Sequence, residues 1–79
     1  MMRLNIAEKF RTILNSMYYD YDTARRRYEA YEDQKCGWYI FNLAKCDALK
    51  ACWIDLLGVL IDPLDVPGEP ILIVEKEKE

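Results

Sequence analysis

The residues able to do chemistry are few. The chain has no histidine, three cysteines and a single serine, Ser16. A cysteine nucleophile of the papain kind needs an imidazole partner, and none exists. Asp20 and Asp22 stand two apart, which on a helix turns their carboxylates about 200° from each other, so they cannot work as an acid and base on one substrate. No glycine-rich phosphate loop or dinucleotide fingerprint occurs. Cys36, Cys46 and Cys52 are spaced by ten and then six residues, without a CxxC or CxxxC step. Zinc asks for four Cys, His or carboxylate ligands, and three thiolates with Asp47 would be a contrived set. The cysteines read better as small buried hydrophobes. The sequence therefore predicts no catalytic residue, no metal, no cofactor and no enzyme.

The remaining candidate chemistry is recognition. "YYDYDTARRRYEAYED", from Tyr18 to Asp33, mixes tyrosines, carboxylates and the consecutive Arg25, Arg26 and Arg27. On a helix the three guanidinium groups fan out over about 200° and form no single patch. Asp22 stands four before Arg26, and Glu29 stands four after Arg25. Such pairs contribute about 0.2–0.5 kcal/mol each and neutralise the local field. Nucleic-acid contact would need these arginines unpaired for phosphates. A net charge of −3 weighs the same way. A small nucleic-acid-associated regulator using Arg11 and Arg25 to Arg27 is the alternative. Tyr18, Tyr19, Trp38 and Tyr39 suit a protein interface, where aromatic rings bury much area at little entropic loss.

Seventy-nine residues make one small domain. The chain is 52% hydrophobic, which argues against disorder. Residues 36–79 hold four basic and eight acidic groups, against seven and six in residues 1–35. Three cysteines cannot all pair within one chain, and no signal peptide pattern begins it, so a reducing cytoplasm is expected. The longest uncharged run, "CGWYIFNLA", is nine residues, far short of the roughly 20 of a membrane span.

Asn5 and Glu8 suit a capping box. Apolar residues then recur at Ile6, Phe10, Ile13, Met17, Tyr21, Ala24, Tyr28 and Tyr31, one helical stripe that keeps its phase through Tyr18–Asp22. A first helix over residues 5–35 follows, with a kink at Asp20–Asp22 left open, and Gly37 marks its stop. A second helix over 38–61 carries a bulky stripe, Cys46, Leu49, Trp53, Leu56 and Leu60. Nearly opposite lies a small one, Ala44, Ala48, Ala51 and Gly58. Pro63, Pro67 and Pro70 then impose an extended arm over 62–79. Within it "ILIV", residues 71–74, reads as a strand, and "EKEKE" as a solvated tail. That strand would pair with its twin in a dimer, add to another protein's sheet edge, or lie as an arm over the helices.

The expected fold is mainly α: an antiparallel two-helix hairpin with an extended C-terminal arm, dimerising into a four-helix bundle. The oligomer interface is placed on Ala44, Ala48, Ala51, Trp53, Leu56 and Leu60. Partner-binding residues are Tyr18, Tyr19, Trp38, Tyr39, Ile71 and Ile73. The expected function is a non-enzymatic protein–protein interaction module that binds or occludes a partner protein. One form this takes is an inhibitor of a host protein carried by a phage or mobile element. A structural subunit of a larger assembly is a further alternative.

Overall fold

A computed structural model describes residues 2–3 and 6–74. Asn5 and the "EKEKE" tail lie outside the described residues. The chain runs from a short strand β1 (Met2–Arg3) to helix α1 (Glu8–Glu29). Helix α2 (Gly37–Leu60), a 3-10 turn (Pro63–Asp65) and strand β2 (Ile73–Val74) follow. It is mainly helical, and the two helices form an antiparallel hairpin.

Helix α1 begins at Glu8 with Ala7 as its N-cap, and no side chain caps it. The expected Asn5 start is therefore three residues early. The helix passes through Tyr18–Asp22 as one α-helix. It ends at Glu29, six residues before the expected stop. Tyr31 N–H donates to the Tyr28 carbonyl (3.2 Å), tightening the last turn. Beyond it the Asp33 side chain accepts from Lys35 N–H (2.9 Å), and Cys36 N–H donates to the Asp33 carbonyl (3.1 Å). Asp33 thus folds its own turn in competition with helix. Glu29, Glu32 and Asp33 also crowd the negative end of the helix dipole. Gly37 does not stop α1 with a left-handed residue; no described glycine has positive φ, and Gly37 opens α2.

The core lies between the helices in two clusters. Leu14, Trp53, Leu57 and Ile73 form one, and Tyr21, Ala24 and Cys46 the other. Trp53 is 0% exposed, and its indole N–H donates to the Leu14 carbonyl (3.0 Å), pinning α2 to the first half of α1. At the turn end Tyr28 meets Tyr39 edge-on at 5.5 Å.

Two stripes differ from expectation in phase. On α1, Leu14 takes the core position, whereas Phe10 and Ile13 are exposed. On α2, Asn42 and Leu57 are buried and Leu56 is exposed. On α2 a heptad stripe drifts about 20° per seven residues on a straight helix, which turns Leu56 toward the flank and leaves Leu57 nearer the core.

Helix α2 ends at Leu60 with Ile61 already extended as its C-cap, and Pro63 disfavours helical backbone at Asp62 beyond it. The Asp62 side chain accepts from Leu64 N–H (3.0 Å) and starts the 3-10 turn. The arm then returns over the hairpin, with Val66 and Ile71 packed on the first core cluster. Its strand solves its backbone problem inside the chain. Met2 pairs with Ile73 and Arg3 with Val74, in parallel. On the other edge the Asn15 amide grips Ile73 twice, Nδ2 donating to the Ile73 carbonyl (2.8 Å) and Oδ1 accepting from Ile73 N–H (2.9 Å). The arm does lie over the helices, but a strand and an asparagine satisfy it where a twin, a foreign sheet edge or water was expected.

Candidate interaction surface

The aromatic and apolar residues that the hairpin does not cover sit mainly on α2. Trp38 is 64% exposed, Phe41 57% and Val59 83%, and Ile40 is also more than half exposed. At about 100° per residue Ile40, Phe41 and Val59, with Ala44, Ala48, Ala51 and Cys52, occupy the side of α2 turned away from α1, and Trp38 stands on its flank. All four of those small residues are exposed. A surface helix normally turns a polar face outward, and one that is apolar all round is normally buried.

At the turn end, Arg27, Tyr31, Trp38, Phe41 and Asn42 line an open cleft of about 260 Å³. The Trp38 and Phe41 rings stand edge to face, 6.1 Å apart. Asn42 is buried in its wall. Its Nδ2 donates to the Trp38 carbonyl (2.8 Å), and its Oδ1 has no hydrogen-bond partner among the described residues. Nothing in the helical pattern marks Asn42, since a polar residue beside an apolar stripe is ordinarily solvated.

A second groove, about 410 Å³, runs where the arm crosses α1. Tyr18, Tyr21, Arg25, Glu69, Pro70, Ile71 and Leu72 line it. Asp22 holds Arg25 at 2.8 Å and Arg26 at 3.0 Å, so two of the three consecutive arginines share one carboxylate. Partial burial works against the Arg25 charge, but the hydrogen bond and charge of Asp22 outweigh it and raise the pKa. The Arg25 guanidinium also lies 5.9 Å from the centre of the Tyr21 ring. Arg11, half-buried, stands apart from the triplet near the start of α1.

The expected partner-binding residues divide. Tyr19 and Trp38 are exposed; Tyr18 and Tyr39 are half-buried, Tyr18 against Tyr19 at 5.5 Å. Ile71 is half-buried against the core. Ile73 is 1% exposed and has no surface to offer, because Asn15 and β1 draw it into the interior. The expected oligomer residues divide too. Ala44, Ala48, Ala51 and Leu56 are exposed, Leu60 is half-buried, and Trp53 is sealed inside its own hairpin.

The cysteines are free and unlike one another: Cys46 is buried, Cys36 half-buried and Cys52 exposed. Burial pushes the Cys46 thiol up, with Asp47 adding to it, which disfavours the reactive thiolate. Only one of the three is thus the buried hydrophobe expected. Among the described residues no group of three or more Cys, Asp or Glu side chains could hold a metal ion. No described helix is long and apolar enough to cross a membrane. Compared with protein-family models, curated proteins and solved structures, the chain matches none.

Proposed function

We propose that the chain is a non-enzymatic protein-interaction module that binds and occludes a partner protein, working in a reducing cytoplasm as a homodimer whose four helices combine. The observation that carries this is the uncovered apolar surface of α2, from Phe41, with Trp38 on the adjoining flank, to Val59 at the other end. Large aromatic side chains left in water are the usual anchors of binding energy at interfaces. The Asp22 clamp on Arg25 and Arg26 speaks against the nucleic-acid regulator, since it engages two of the guanidinium groups that phosphates would need. A phage or mobile-element inhibitor is one biological form of this module.

The test is affinity purification with the tagged chain at moderate salt. A single co-purifying protein, lost with Trp38→Ala and retained with an exposed polar change such as Thr23→Ala, supports the reading. Capture of nucleic acid instead, with steep salt dependence on heparin, would replace it with the regulator.

A further inference from the structure

The outward seam of α2 is its own complement. Phe41, Ala44, Ala48, Ala51, Asp55 and Gly58 step by 3, 4, 3, 4 and 3. This spacing reads the same in both directions, with its centre between Leu49 and Lys50. We propose that a second copy of this chain occupies this seam, its α2 antiparallel to the first, about a twofold axis through that centre. This rests on the homodimer of the preceding section and gives it a face, an orientation and a register.

The register pairs each residue with one that suits it. Phe41, the large ring of the seam, comes level with Gly58 of the other copy but stays on the Trp38 flank, while the bare Gly58 backbone on the arm flank leaves room for the helices to close up. A Cβ built on Gly58 would make only an ordinary contact with Val66 Cγ2 at 3.9 Å, so the glycine presents bare backbone on that flank. Ala48 falls opposite Ala51, twice, letting the helices approach to about 8 Å, the short end of helix packing distances. Asp55, the charge in the seam, falls opposite Ala44 with Lys45 of the other copy one residue along. The twofold makes two such Asp–Lys pairs, so the seam's own acid meets a base.

The overall dimensions agree. The radius of gyration is 14.2 Å, whereas about 12 Å is expected of a compact chain of this length and about 15 Å of one twice as long. A single hairpin is thus drawn out like half of a larger body.

The arrangement differs from a square bundle. The seam lies opposite the face that α2 gives to α1, so the helices form a row, with the two α2 helices in the middle. The axis then runs through the layer, perpendicular to the helices. On the helix wheel Trp38 and Leu56 fall on the flank opposite Ile54 and Gly58, beside which the arm packs. Both arms therefore lie on one side of the dimer. Both Trp38 clefts open on the other side, about 35 Å apart along the helix direction. The dimer presents two identical aromatic anchors on one face, which fits a partner that is itself twofold.

Cross-linking tests the register with Cys36→Ser and Cys52→Ser as background. Ala48→Cys brings its thiol to its own symmetry mate with Cα atoms about 6 Å apart, within disulfide range. Ala44→Cys places them more than about 16 Å apart by helix rise alone. Mild oxidation should yield the covalent dimer from Ala48→Cys and none from Ala44→Cys. Dimer from both variants would overturn the antiparallel orientation, and dimer from neither would overturn the seam. Sedimentation equilibrium of the unaltered chain should give the mass of two chains. Ala48→Glu should give one, with the near-ultraviolet signal of buried Trp53 retained. A folded single-chain mass for the unaltered protein at tens of micromolar overturns the proposal. Trp38→Ala separates the two readings: it should abolish partner capture and leave the two-chain mass intact.

Discussion

Asn42 carries an acceptor that no described residue engages. Its amide is oriented by the bond to the Trp38 carbonyl, so Oδ1 cannot exchange places with Nδ2 without setting two oxygens together. A buried carbonyl without a donor costs about 1–3 kcal/mol. Asn42→Leu removes that group and improves helix propensity, so the variant should melt higher than the parent, by a few degrees. If partner capture falls at the same time, the oxygen is held for a ligand's N–H or O–H. A lower melting temperature would show that the amide is already satisfied. The thiols give a second residue-scale expectation. Thiolate formation and access set cysteine reactivity. Cys52 should react first with a thiol reagent, Cys36 more slowly, and Cys46 only after denaturant is added. Rapid modification of all three in the native state would contradict the core at Cys46.

At the scale of elements, the arm is held by one side chain more than by its own sequence. Asn15 supplies both hydrogen bonds to Ile73 on the helix side and so occupies the edge that a foreign strand would need. Asn15→Ala leaves Ile73 N–H and C=O without those partners in a largely dry site. Each such loss costs about 1–3 kcal/mol, partly offset by the better helix propensity of alanine. The arm should detach while the hairpin persists. In hydrogen exchange, Ile73 and Val74 should lose protection and the middle of α2 should keep it; loss of protection everywhere would show that the arm and hairpin fold as one unit. The helices, the turn between them and the proline-set arm were legible in the sequence, because periodicity and prolines act locally. The early end of α1 was not. It depends on Asp33 choosing an Asx-type turn over one more turn of helix, and a stripe that includes Tyr31 hides that choice. The β1–β2 pairing and the Asn15 grip were also out of reach, since they join residues far apart in the chain. The α2 surface was half legible. The Ala44, Ala48 and Ala51 stripe, expected to meet a second chain, lies exposed outside the hairpin contact, whereas Trp53 was placed at the same interface and instead seals the hairpin it belongs to.

At the scale of the whole molecule, stability should depend on pH in one direction. Three groups between the helices have raised pKa values. Burial raises Cys46, with Asp47 adding to it. Burial raises Tyr21, with Cys46 and Glu69 adding to it. Burial also raises Tyr28, followed by Cys46 and Glu29. All three are neutral when protonated, so the folded chain holds these protons to higher pH than the unfolded chain does. Stability then falls as pH rises wherever the native state binds more protons. In the unfolded chain the thiol titrates near 8.5 and the phenols near 10. The contribution is therefore fully present below about pH 8 and is lost stepwise above it, the thiol first and the phenols next. Melting temperatures measured at pH 7.5, 9 and 10.5 should fall in that order. Cys46→Ala should flatten the first step, between 7.5 and 9, and leave the second. These groups share a small core around Ala24, so their ionisation loosens the hairpin at its middle and does not merely fray its ends. A melting temperature that holds or climbs between pH 9 and 10.5 would show that the phenols are as solvated in the folded chain as in the unfolded one.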